Sequence, residues 1–199
     1  MRSPLRLRRF APASSHERTC TRRSLRERGA STVEFALVAP LFFFIIFAAI
    51  EMGFMFRANL SVEDMTRNAA RVASLVRDDP DADRFILDEI DRRTGSLNGE
   101  LLSVVIFSAA SLEAEMPAAC IDGFGNPVDV AGVCNSYSAA EVPTVAGGGA
   151  PVRTAFAAST REQWDVIGIA IRYRQASVTG VIDGITFEAT TVEVIELDL

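Results

Sequence analysis

Glu34 follows Gly29 by five residues and opens onto sixteen uncharged, mostly apolar residues, Phe35 to Ile50, while Arg22, Arg23, Arg26 and Arg28 stand just before the glycine. A carboxylate at the mouth of such a run is costly to desolvate, so it marks function by default and calls for a cationic partner. The competing reading is a plain single-pass anchor whose Glu34 sits in the headgroup layer. A second reactive pair is Cys120 and Cys134, with thirteen residues between them. No histidine or further cysteine can complete a zinc site with them, so in an oxidising compartment they read as a disulfide rather than a metal pair. Asp122, Asn126 and Asp129 could offer oxygens to calcium, but their spacing lacks the EF-hand pattern and suits turn residues better.

The chemistry that is missing narrows the classes. His16 is the single histidine, it lies in the basic leader ahead of the apolar run, and the chain has no lysine. Ser-His-Asp and Ser-Lys machinery, Schiff-base chemistry and the phosphate-binding lysine of a P-loop are therefore all excluded. Carboxylate pairs remain, as in any acidic protein, but nothing sets two of them on opposed walls of a cleft. The expectation is a protein that is not an enzyme, with no cofactor, no metal and no small-molecule substrate.

The elements that must position these residues begin with the apolar run. Phe35 to Phe56 is 22 residues, about 33 Å of helix against a hydrocarbon core of about 30 Å. Glu51 is the only charge inside it; an acidic residue costs up to about 3 kcal/mol at the centre and less near an end, and Glu51 is expected near the far membrane face, within reach of water. The thirteen Leu, Ile, Val and Phe residues of the same window return roughly 4 to 8 kcal/mol in sum. Insertion wins. Residues 1 to 29 carry nine arginines against Glu17 and Glu27, a balance of +7, so residues 30 to 199 carry −13 of the total −6. The positive-inside bias keeps the N-terminus in the cytoplasm and sends the acidic part across the membrane. With no basic stripe outside the leader, nucleic acid is not an expected partner. Thr21 to Arg26 also resembles a twin-arginine signal, but the apolar run is longer than a signal h-region and no small-x-small site follows it.

Val62, Met65, Ala69, Val72 and Val76 recur at three and four residues, with Met55 and Ala58 extending the series back. That spacing predicts an amphipathic continuation of the membrane helix, ending near Asp78-Asp79-Pro80. Residues 80–199 suffice for one small domain. Asp81 is the expected cap of a short helix through Arg93 with Phe85, Ile86, Leu87 and Ile90 on its buried side. Strands are expected at Leu101 to Ser108, Trp164 to Arg174 and Ile185 to Leu197. In the second, Ile167, Ile169, Ile171 and Tyr173 alternate with Val166, Gly168 and Ala170, which predicts a central strand covered on both faces. Residues 109–160, rich in Gly, Ala and Pro, read as a long, partly mobile excursion.

Arg28-Gly29, Val33-Glu34-Phe35-Ala36-Leu37-Val38-Ala39-Pro40-Leu41 and Asn68-Ala69-Ala70-Arg71 together resemble the TadE family, minor pilins or pseudopilins of the tight-adherence (Flp) pilus system. The likeness covers about 45 of the 199 residues. Ala30 stands where conventional type IV pilins have phenylalanine, and Phe35 where major Flp pilins have tyrosine, which argues against the major pilin. The resemblance implies that a prepilin peptidase cuts between Gly29 and Ala30 and that Glu34 serves assembly with other Tad pilins and their machinery in the inner membrane. It implies a cleaved leader over 1–29, a transmembrane and amphipathic helix over 30–79 and a periplasmic or extracellular domain over 80–199. The expected fold is α+β and pilin-like, a long membrane-spanning helix continuing into an amphipathic one packed on a small antiparallel β-sheet. The alternatives are an unprocessed membrane-anchored scaffold or adhesion module, and a tethered carboxylate enzyme.

Overall fold

The computed structural model describes residues 20–76, 79–95, 97, 99–157, 166–177, 180 and 184–195, with side chains from residue 29 onward. Most of the basic leader, 1–19, lies outside the described residues, as do Trp164, Asp165, Glu196 and Leu197 of the expected strands. The chain divides into two compact units, residues 1–48 and 49–199.

One helix, α1, runs from Cys20 to Val76. It begins before the expected membrane segment because arginine is a good helix former and nothing in residues 20–28 breaks a helix. From Gly29 to Ala48 no side chain of α1 is buried, although this part carries Phe35, Leu41, Phe43, Phe44, Ile45 and Phe47. By length and composition α1 is apolar enough to cross a membrane.

The second unit is α+β. Its sheet has the order β2-β1-β3-β4, with β1 Gly99–Ala109, β2 Cys134–Ser138, β3 Val166–Gln175 and β4 Ile185–Val194, every neighbouring pair antiparallel. The expected alternation in β3 holds: it lies between β1 and β4, and both its faces are covered. Ile167, Ile169, Ile171 and Tyr173 join Val104 and Ile106 of β1 in a core completed by Val62, Met65, Ala69, Ala70 and Ala73 of α1 and by Ile86, Leu87 and Ile90 of α2, Ala82–Thr94. The stripe read from the sequence is thus the contact face of α1. On the other face Val105, Phe107 and Ala170 pack with Cys120 and Cys134. A Cβ at Gly168 would collide with the Phe107 ring, so a glycine is required there.

Three local expectations are corrected. Phe85 of α2 is exposed, and Asp83 is buried in its stead. Asp81 is the N-cap residue but makes no side-chain cap bond; its carboxylate pairs with Arg84 at 3.2 Å. A fourth strand, β2, and a short helix α3, Val142–Ala146, occupy the segment read as an excursion. β2 reads Cys-Asn-Ser-Tyr-Ser, with no apolar alternation to reveal it.

Candidate functional site

Gly29, Ala30 and Glu34 share α1 and are exposed. A Cβ added at Gly29 would meet nothing within 4 Å. Glycine inside a helix costs about 1 kcal/mol relative to alanine, and no close approach demands it here, so packing supplies no reason for its presence. Glu34 stands fourteen residues into α1, counted from Cys20. In the uncut chain its carboxylate is therefore remote from the helix terminus and gains nothing from the macrodipole, which acts within the first turn. A cut after Gly29 would put a new ammonium on Ala30, on the adjacent turn of the same helix face as Glu34. After such a cut the Glu34 carboxylate would lie within the first turns of a new helix N-terminus, where the macrodipole favours it.

Glu51, expected at the far membrane face within reach of water, is instead buried at 5% exposure. It begins a stripe, Glu51, Met55, Ala58, Val62 and Met65, all buried along one side of α1. Protein rather than water covers it. The rest of the surface of the same stretch exposes Met52, Phe54, Phe56 and Leu60.

Cys120 and Cys134 are bonded, with Cα atoms 6.3 Å apart, and both are fully buried. The disulfide closes a loop whose tip is a tight turn: Asp122 Oδ1 accepts from the backbone N–H of Phe124 at 2.9 Å and of Asn126 at 2.7 Å, and its Oδ2 accepts from Asn126 Nδ2 at 2.9 Å. These bonds, that from the Asn126 side chain first, hold the Asp122 carboxyl below the usual carboxylate range. Asp129 turns elsewhere, accepting from the Ser136 N–H at 2.8 Å and from Arg153 at 2.6 Å. The three residues considered for calcium are therefore spent on turn and strand bonds. Among the described residues, no three His, Cys, Asp or Glu side chains gather as a metal cluster.

A buried polar hub that spacing did not reveal ties α2 to β2. Asp83 Oδ2 accepts from Asn135 Nδ2 at 2.6 Å and from the Tyr137 hydroxyl at 2.8 Å. Asn135 also donates to the Phe156 carbonyl at 2.9 Å and accepts from its N–H at 2.7 Å. Burial, then the neighbouring Asp83 charge, pushes the Tyr137 hydroxyl far above its ordinary value and keeps it a donor. Arg153 lies over the Tyr137 ring and pairs with both Asp129 and Glu141. Burial works against ionisation of Glu141, yet bonds from the Ser138 N–H and hydroxyl and the charge of Arg153 outweigh it and lower its value. This is a clamp of mutually satisfied groups, in which the carboxylates of Asp129 and Glu141 share one guanidinium. Hydrogen bonding of this kind has no period in sequence, so only the fold exposes it.

The family model for TadE-like proteins matches residues 29–71, from the glycine into the amphipathic stripe. Comparison with curated proteins and with solved structures finds no match.

Proposed function

We propose that the chain is a minor pilin or pseudopilin of the Tad pilus system, anchored in the cytoplasmic membrane by α1 with its N-terminus inside and residues 80–199 outside. A prepilin peptidase would cut between Gly29 and Ala30, and Glu34 would then serve entry into the pilus or its assembly machine. The observation that carries this reading is a coincidence. The TadE-like match covers 29–71, and within it lie a glycine that packing does not require, a carboxylate five residues on and an apolar helix surface from Val33 to Ile50 that the chain does not bury. The disulfide supports an oxidising compartment for the C-terminal part, and the acidic balance beyond the leader supports its export. The role is structural. The matched family is one of pilus-associated proteins, and Asp129 and Glu141, which line one pocket with Arg153, are both held in ion pairs with that guanidinium.

Sequencing the mature N-terminus tests the proposal directly: Ala30 is expected. Gly29→Val should leave the full-length precursor, and because the position opens on empty space the failure would be one of processing, not folding. An intact N-terminus on functional wild-type protein would leave an unprocessed anchored scaffold as the reading.

A further inference from the structure

Two faces of α1 diverge between residues 51 and 60. Glu51, Met55 and Ala58 are covered, while Met52, Phe54, Phe56 and Leu60 are 42% to 64% exposed on the remaining surface. A helix in water alone would not display those four apolar side chains together, and a helix in lipid alone would not bury a carboxylate against protein. Counting from Phe35, a hydrocarbon core of about 30 Å is crossed in about 20 residues, so this stretch straddles the end of the hydrocarbon and the headgroup layer.

Met52, Met55, Phe56 and Asn59 form one wall of a groove of about 340 Å³, and the other wall is Ile185 and Phe187 of β4. Ile185 and Phe187 therefore lie at the same depth as these turns of α1. Ile185 is paired with Gln175 at the sheet end opposite to Val166 and Ala109. That end must rest on the bilayer if α1 crosses it. The groove is apolar along Met52, Met55, Phe56, Ile185 and Phe187, and polar at Asn59, whose amide donates to Glu63 at 2.9 Å. This gradient follows that from acyl chains to headgroups. Arg57, exposed one residue beyond Phe56, stands where a guanidinium on a long stem reaches lipid phosphates.

We propose that this groove is a lipid seat: an acyl chain of the leaflet facing the domain fills the space between α1 and the start of β4, so that Ile185 and Phe187 form a second membrane contact besides the span itself. The occupant follows from continuity, because the groove opens onto the same exposed apolar surface that the bilayer must cover. The seat rests on the membrane-anchoring reading. It goes further by fixing the height of the domain and the edge of the sheet that meets lipid.

The test uses the full chain with Cys20→Ser, in vesicles of phosphatidylethanolamine and phosphatidylglycerol, with a bimane fluorophore on a single introduced cysteine. Lipids carry a nitroxide either near the headgroup end or near the methyl end of the acyl chain. Bimane at Ile185→Cys should lose fluorescence to the headgroup-end nitroxide. Bimane at Leu112→Cys, exposed beyond the opposite end of the sheet, should keep it. Bimane at Phe43→Cys, within the span, should lose it to the methyl-end nitroxide. Quenching at Phe43 with none at Ile185 overturns the seat while leaving the anchor intact, and no quenching at either position overturns both. Quenching of Ile185 only by a nitroxide on residue 185 of another copy would assign the groove to a second protein chain and likewise overturn the seat.

Discussion

Residues 29–48 and 49–76 belong to one helix, yet they obey opposite rules. The first stretch is apolar almost all round and buries no side chain. The second is amphipathic and sinks Val62, Met65, Ala69, Ala70 and Ala73 into a core shared with β1, β3 and α2. A substitution in the second stretch should therefore be read out as domain stability. One in the first should be read out only through whatever surrounds the helix, lipid or the helices of other subunits. The contrast can be broken at either end.

The largest effect is expected at Glu34. If the chain is cut after Gly29 as proposed, the Glu34 carboxylate and the Ala30 ammonium of a neighbouring subunit would both be poorly solvated in lipid, and subunit entry would exchange them for a pair in low dielectric. Glu34→Ala should remain anchored and cleaved, with an unchanged thermal midpoint for the domain, yet be lost from co-purified pilus components. Wild-type yield in that pull-down would favour the plain anchor.

Met65 gives the converse. It is 2% exposed in the centre of the core, and a buried Met→Ala change costs about 2–5 kcal/mol. Met65→Ala should lower the urea midpoint accordingly. Phe43→Ala, half exposed on the first stretch, should leave it unmoved. Equal losses would mean that the two stretches are one folding unit.

What the sequence disclosed follows from which forces are periodic. The α1 stripe and the isoleucines of β3 repeat at the helix and strand spacings, so both elements and their buried faces were legible. β2 was not, because Asn135, Ser136 and Tyr137 are buried through hydrogen bonds to Asp83, Asp129, Val128 and Phe156, and such bonds depend on partners remote in sequence. Phe85 misled for a related reason. Its place was given to Asp83, whose burial makes sense only once Asn135 and Tyr137 are beside it. In the site, the cysteine pair was legible by elimination of zinc, and the structure bonds it. Glu51 was misplaced because its cover belongs to tertiary structure.

The disulfide sharpens the comparison on the sheet's other face. Cys120 and Cys134 are bonded and pack with Val105, Phe107 and Ala170. A loop of about 15 residues is worth roughly 3 kcal/mol on the chain-entropy account. Cys120→Ser should make the domain more sensitive to protease and more easily unfolded by urea, while membrane anchoring stays intact. Labelling of both thiols in protein isolated without reductant would contradict the bond.

The smallest effect is expected at Glu141, where the second unit meets solvent. Its carboxylate accepts from the Ser138 N–H at 2.9 Å and hydroxyl at 2.7 Å and pairs with Arg153, but its side chain is 41% exposed. Screening then limits the ion pair to less than about 1 kcal/mol, and Asp129 still holds the guanidinium. Glu141→Gln should thus shift the neutral-pH urea midpoint only slightly. The pH dependence gives the sign. The carboxyl is lowered in the folded state, so its contribution is complete above the ordinary glutamate value of about 4.3 and disappears as pH falls through the lower folded value. Wild type and Glu141→Gln should therefore differ near neutrality and converge in acid. A difference that persists or grows at low pH would show that the carboxylate charge is not what Glu141 contributes.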